Sequence, residues 1–280
     1  MHAHEHPEVS ETAQLAHLSE ARVARVSLRR ADRVSAILER LATEHSIDAG
    51  ELATEFGVSA ATLRRDLQML EDQKLLSRTH GGALAHDVAY ELPVRYRGGR
   101  QRDEKRAIAA RAADLLPKGP LVMGLTGGTT TSEVARIIAD RVDVTVVTNA
   151  LNIATELALR PRLKLILTGG VTRSQSYELV GPLAEQTLAG LHLQVAVVGV
   201  DGLTADAGLT THDEVEAHTN RAMIARARSV MVVADGSKVG RVLLAQICPV
   251  EAVTDFVTDS TADPAELDEL RRAGVAVHVI

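Results

Sequence analysis

The chain has 280 residues, room for one large domain or two, and 45% of them are hydrophobic, ample for packed cores. Aromatic residues are only 2% with no Trp, which argues against a platform for stacking single-stranded bases. A net charge of -6 argues against a protein that coats nucleic acid, but leaves room for a reader of DNA with one small basic face. The single Cys248 excludes an internal disulfide framework, and no 18-residue apolar run or charged-then-apolar leader occurs, so the chain is expected to be soluble and cytoplasmic, without a membrane partner.

Residues 1–28 are polar and Ala-rich, with His2, His4, His6 and His17 among acidic residues, and are expected to form a mobile tail. Alternating histidines are metal-ligand types, but nothing nearby fixes a geometry, so neither a metal site nor a cofactor is expected. Residues 29–85 carry the signals of a small helical unit. Val34, Ile37, Leu38 and Leu41 recur at helical spacing over 28–44, and Arg29, Arg30 and Arg33 near the start are either phosphate contacts or solvated charges. Asp48 and Glu51 have the spacing of a capping box that opens a short helix with Leu52, Ala53 and Phe56 inward, and Gly57 supplies a tight turn.

The next helix organises the rest. Ser59 stands where an N-cap belongs, Leu63, Leu67 and Leu70 form one buried stripe, and Ala61, Thr62, Arg64, Arg65 and Gln68 are left toward solvent. Arginine bonds guanine bidentately, glutamine bonds adenine, and alanine allows close approach, so this face suits a DNA major groove. An ordinary amphipathic surface helix would show the same stripe, but Ser77 to Ala83 then reads as a small β-ribbon with Arg78 and His80 placed for phosphate or minor groove. Helix, turn, helix and wing thus occur in order.

Residues 86–104, with Pro93, Gly98, Gly99 and Arg95, Arg97, Arg100 and Arg102, read as a linker whose arginines face either DNA phosphates or acidic groups of the following domain. A helix follows with Ile108, Ala112 and Leu115 inward. From there to residue 280, strands are expected at 121–125, 144–147, 163–167, 195–200, 230–234, 253–257 and 275–280, alternating with helices at 132–139, 149–159, 214–227 and 265–273. That alternation predicts an α/β, Rossmann-like parallel sheet covered by helices on both faces, behind an N-terminal winged helix-turn-helix.

Five polar clusters each follow a strand: Thr126-Gly127-Gly128-Thr129-Thr130-Thr131, Thr148-Asn149, Thr168-Gly169-Gly170, Asp201-Gly202 and Asp235-Gly236-Ser237-Lys238. In an open parallel sheet the ligand crevice lies beyond the carboxyl ends of the strands, so these clusters should converge. The first is the best anion cradle, because glycines let backbone amides approach and a helix starts there. It is neither a nucleotide P-loop nor a GxGxxG turn. Lys238, one of five lysines beside Lys74, Lys105, Lys118 and Lys164, is placed to add a point charge.

The run from Val34 to Ala83, above all VSAATLRRDL followed by RTHGGA, resembles the winged helix-turn-helix of the DeoR family of bacterial sugar-metabolism repressors. The motifs GGTT at Gly127, TN at Thr148, LTGG at Leu167, GLT at Gly208 and DGSK at Asp235 resemble that family's effector domain, whose fold is similar to ribose-5-phosphate isomerase. The resemblance spans most of residues 30–280 and implies a double-stranded DNA operator, a phosphorylated sugar or polyol effector and a homo-oligomer, dimer or tetramer. One departure stands out: many family members have an acidic residue two or three positions before the glycine-threonine pair, and Leu125-Thr126-Gly127 occupies that place here. A carboxylate contact to sugar hydroxyls is therefore not expected from this turn.

Two functions follow: an effector-released repressor of carbohydrate genes, or a sugar-phosphate isomerase with an added head. Isomerisation needs a base and an acid near C1 and C2. The candidates Asp201, Asp213 and Glu214 lack the further close carboxylates such an enzyme would use, and an enzyme has no use for a complete head and wing, so the repressor is the expectation.

Overall fold

The computed structural model describes residues 29–73, 75–85, 93–97 and 101–280. The expected tail at 1–28 and much of the expected linker lie outside the described residues. The chain divides into two compact units, Met1–Tyr90 and Glu91–Ile280.

In the first unit, helix α1 (Arg30–Glu44) leads through strand β1 (Ser46–Asp48) into α2 (Ala49–Glu55), α3 (Ala60–Asp72) and strands β2 (Ser77–Arg78) and β3 (Gly82–Leu84). The caps form where the sequence placed them. Asp48 accepts the amides of Gly50 and Glu51 at 2.7 and 2.9 Å, and Ser59 accepts that of Thr62 at 3.2 Å. Leu63, Leu67 and Leu70 of α3 bury against a core that includes Val34, Ile37, Leu38, Leu41, Leu52 and Leu76. Each such side chain contributes about 1.5–3 kcal/mol on leaving water. The ribbon is wider than the sequence suggested: β1 joins it, giving the antiparallel order β1-β3-β2.

The second unit opens with one helical turn, α4 (Val94–Arg97), and helix α5 (Arg102–Leu115). There follow β4 (Leu121–Leu125), α6 (Thr129–Ile138), β5 (Val144–Thr148), α7 (Leu151–Leu157), β6 (Leu163–Leu167), β7 (Val171–Arg173), β8 (Glu178–Val180) and α8 (Pro182–Ala189). The remainder is β9 (Leu193–Val198), β10 (Gly202–Thr204), β11 (Gly208–Thr211), α9 (Glu214–Ile224), β12 (Ala227–Val233), β13 (Ala245–Cys248), β14 (Asp255–Thr258), α10 (Pro264–Arg272) and β15 (Ala276–Val279).

Seven strands form one sheet in the order β15-β14-β12-β9-β4-β5-β6, with every neighbouring pair parallel. Parallel strands buried on both faces show near-continuous apolar runs, as these do. Met123, Val146, Val195, Val197 and Met231 pack with Ile108, Ala112, Val134 and Ile138 on one side. Val147, Ala196, Val198 and Val232 pack with Leu188, Met223, Leu267 and Leu270 on the other. The result is the expected three-layer α/β arrangement. The sequence reading did not include the hairpin β7-β8 or the three-stranded antiparallel sheet β10-β11-β13.

Candidate functional site

The chain leaves β4 in one direction through β5 and β6, and in the other direction the sheet continues through β9, β12, β14 and β15. The order reverses between β4 and β9, and such a switch point opens a crevice at the strands' carboxyl ends. Thr126 follows β4 and ties the two sides: its hydroxyl accepts the Gly199 amide at 3.0 Å, just beyond β9. Gly128 takes φ 131°, a conformation open to glycine, and starts α6 as its N-cap with no side-chain cap. The first amides of this ten-residue helix therefore have no capping side chain, and at such an end an anion is stabilised by free amides and by the helix dipole.

The structure narrows what the turn's side chains offer. Thr131 donates to the Gly128 carbonyl at 3.0 Å, Thr148 to the Leu125 carbonyl at 2.7 Å, and Thr168 to the Gly169 carbonyl at 3.1 Å. The hydroxyls of Thr126, Thr131 and Thr148, named in the effector clusters, thus shape the backbone from fully buried positions and do not face a ligand. Thr129 is partly exposed at the helix start, and Thr130 is buried. Gly169 and Gly170 turn the chain with φ 75° and 127°.

Asp201 and Lys238 are brought together. Lys238 Nζ lies 3.2 Å from Asp201 Oδ1, and Arg97 Nη1 lies 2.9 Å from the same oxygen. Arg97 therefore resolves one of the sequence's alternatives: it pairs with an acidic group of the second unit. Burial alone would raise the Asp201 carboxyl, but Arg97, then Lys238 and His212, outweigh it and hold the group well below the usual carboxylate range. Two cations thus surround one carboxylate, so the Asp201 charge is more than matched within this group.

Five residues that no local motif announces, Glu178, Asn220, Arg173, Glu216 and Thr211, complete the crevice. Glu178 of β8 reaches the turn, and its Oε1 accepts the Gly127 amide. A Cβ on Gly127 would lie 2.6 Å from Glu178 Cγ, so this position has no room for a side chain. Asn220 of α9 donates to Glu178 Oε2 at 3.4 Å and accepts from Asn149 Nδ2 at 3.2 Å. Arg173 pairs with Asp213 at 3.1 Å and with Glu216 at 3.0 Å. Thr211 donates to Glu216 at 2.7 Å and lies 3.4 Å from Asp201, linking the two charge groups. Burial, then the nearby Glu216 carboxylate, pushes the Glu178 carboxyl well above its usual range. The expectation that close carboxylates are missing is therefore corrected, since Glu178 and Glu216 arrive from a hairpin and a helix whose convergence no local motif announces.

In the first unit, Ala61, Arg64, Arg65 and Gln68 are exposed on α3, with Arg78, Thr79 and His80 exposed at the ribbon. Among the described residues Arg64 and Arg65 make no ion pair, whereas Gln68 is engaged: it accepts from Arg78 and donates to Asp72 at 3.0 Å. Arg33 departs from its candidacy as a phosphate contact, because it is buried and bonds Asp66 of α3 at 2.6 Å. Among the described residues, no helix is long and apolar enough to cross a membrane, and no His, Cys, Asp and Glu cluster suits a metal ion.

Residues 100–260 match the family described as DeoR C terminal sensor domain, and residues 33–88 match the DeoR-like helix-turn-helix domain. An HTH-type transcriptional regulator, GlpR, from Haloferax volcanii is 36% identical over 248 residues, covering 88% of this chain and 96% of the relative. The glycerol-3-phosphate regulon repressor of Escherichia coli K12 is 31% identical over 233 residues, covering 83% of this chain and 92% of the relative. Both relatives are named as regulators of transcription and not as enzymes. Among solved structures, ribose 5 phosphate isomerase A from Neisseria gonorrhoeae aligns at a TM-score of 0.35 and 14% identity over 48% of this chain and 52% of that one, too distant to bear on function. With a capped helix-turn-helix and ribbon in one unit, a sensor-type α/β sheet in the other, and both family matches in register with them, the chain belongs to the DeoR family of DNA-binding transcriptional regulators.

Proposed function

We propose that this regulator represses carbohydrate-catabolism genes and is released from its operator by a phosphorylated sugar or polyol bound in the crevice of the second unit. The observation that carries this reading is the uncapped amino end of α6 at the switch point, where free amides and a glycine turn favour a compact anion. The positive group of Arg97 and Lys238 around Asp201 supports a phosphate further, and the acidic group around Glu178 and Glu216 supplies acceptors for hydroxyls. The relatives' names, with a glycerol-3-phosphate regulon among them, agree with this class of effector.

The operator face is proposed as Ser59, Ala61, Thr62, Arg64, Arg65 and Gln68 of the α3 region, with Arg78 and His80 at the ribbon. The effector face is proposed as Gly127, Gly128, Thr129 and Thr130, with Asn149, Gly169, Gly170, Asp201 and Lys238 around it. Residues 29–85 serve as reading head and 105–280 as effector and assembly domain, working in the cytoplasm as a dimer or tetramer, because one small head with few basic residues is a weak binder alone. Linkage requires the effector to prefer the DNA-free arrangement, with a typical coupling of about 1–3 kcal/mol.

The isomerase alternative regains its carboxylates but not a free base among the paired ones: Asp201 is held by Arg97 and Lys238, and Glu216 by Arg173 and Thr211. Calorimetry of the full chain against sugar phosphates and their dephosphorylated partners tests the reading. Binding only of phosphorylated compounds is expected. Equal binding of both forms would remove the anion site.

A further inference from the structure

We propose that the Glu178 carboxyl is a resident stand-in for the effector's phosphate, holding the Gly127 amide in the free protein and giving it up, with uptake of a proton, when the phosphate arrives. This rests on the phosphate reading of the same turn.

The geometry sets up a competition. Glu178 is buried in β8, and one of its oxygens takes the Gly127 amide, the first donor of the turn that leads into α6. That amide has one hydrogen, so a phosphate seated on the turn and the Glu178 carboxylate cannot both use it fully. Two anions on one amide in a buried site would also repel strongly. A second observation marks the neighbourhood as built for a ligand with hydroxyls. Asn149 Oδ1 is fully buried and has no hydrogen-bond partner among the described residues, although its Nδ2 donates to Asn220, which holds Glu178. A buried acceptor left this way is destabilising unless something donates to it.

The charges facing Glu178 decide how it gives way. Glu216, from α9, opposes its ionised form, while Arg173, from β7, supports it, and Arg173 is shared with Glu216 and Asp213. Further out, Thr211 connects Glu216 to Asp201, which is fixed by Arg97 and Lys238. With Arg173 already shared between two other carboxylates, a phosphate on the turn is most readily balanced by protonating Glu178: its carboxylate takes a proton from solvent, becomes a neutral acid and no longer competes. Effector affinity then falls as pH rises through the titration of Glu178, because the protonated acid favours binding. Burial already biases Glu178 toward that acid.

The test uses the full-length protein with inorganic phosphate as probe, titrated calorimetrically in two buffers of different ionisation enthalpy. Glu178→Gln removes the charge and keeps the shape. The phosphate's own ionisation is common to both proteins and cancels in the comparison. The wild type should take up more protons on binding than the variant, and the variant should bind about fivefold or more tightly in mildly alkaline buffer, with the gap closing toward acid. Equal affinity and equal proton uptake, with phosphate bound by both, would overturn the displacement alone. If phosphate binds neither protein, the anion site itself fails and the displacement with it. Should the variant not fold, the infrared difference spectrum of the wild type carries the test: a protonated carboxyl band must grow on phosphate addition, and an unchanged carboxyl region overturns the proposal.

Discussion

Asp66→Ala separates what holds the reading head together from what reads DNA. Asp66 sits on α3 with its side chain 4% exposed, and its partner Arg33 on α1 is 7% exposed at 2.6 Å, while Arg30 at 3.4 Å is largely in solvent and adds little. Removing the carboxylate takes away the Asp66 partner of a buried guanidinium, a change that costs up to about 3–5 kcal/mol. A unit of roughly 60 residues has only about 3–9 kcal/mol of stability in all. The head should therefore open far more often. Hydrogen exchange read by mass spectrometry on peptides from α1 and α3 should speed up roughly 10²–10⁴-fold, with peptides from β4 and β5 as the unchanged reference. Pairing Asp66→Leu with Arg33→Met should restore most of the protection, because an apolar pair of similar volume needs no countercharge. Exchange in α1 and α3 within a few-fold of wild type for Asp66→Ala would refute the view that this ion pair fixes the reading helix.

Arg64→Ala should behave oppositely, leaving exchange in α3 unchanged while weakening specific operator binding by about 1–3 kcal/mol in a gel-shift series. Lys238→Ala and Thr129→Val should each weaken DNA release by sugar phosphates, with operator affinity in the absence of effector near wild type in the same gel shifts. The folded Asp201 carboxyl lies below its unfolded value, so its contribution is present above the ordinary carboxylate range and is lost as pH falls below it; thermal melts below about pH 4 should show this loss in the wild type and a flatter profile in Asp201→Asn.

The elements legible in the sequence were those with strong periodicity or strong local chemistry. The α3 stripe of Leu63, Leu67 and Leu70, the Ser59 and Asp48 caps and the apolar strands of the parallel sheet all declare themselves within a few residues. What stayed hidden depends on contacts far apart in the chain. Glu178 lies 51 residues from Gly127, in a three-residue strand following a polar stretch that reads as loop. Arg33 shows a helical arginine's usual solvated pattern until Asp66, 33 residues on, closes over it. Arg97 reads as part of a linker in sequence because its partner Asp201 is 104 residues away. The threonine clusters were legible as turn chemistry, but their hydroxyl directions were set by backbone carbonyls such as those of Gly128 and Leu125, which sequence does not place.

The central claim, that a phosphate in the second unit's crevice frees the head from DNA, is met most directly by fluorescence anisotropy of the full-length protein on the genomic fragments it selects. Sugar phosphates and their dephosphorylated partners are added in turn, and products are followed by mass spectrometry in the same samples. The account predicts that one or more phosphorylated compounds lower the anisotropy at an unchanged ligand concentration, that their dephosphorylated partners do not, and that Lys238→Ala blunts the response. Release by a free sugar as readily as by its phosphate, or repeated turnover of the added compound, would contradict it.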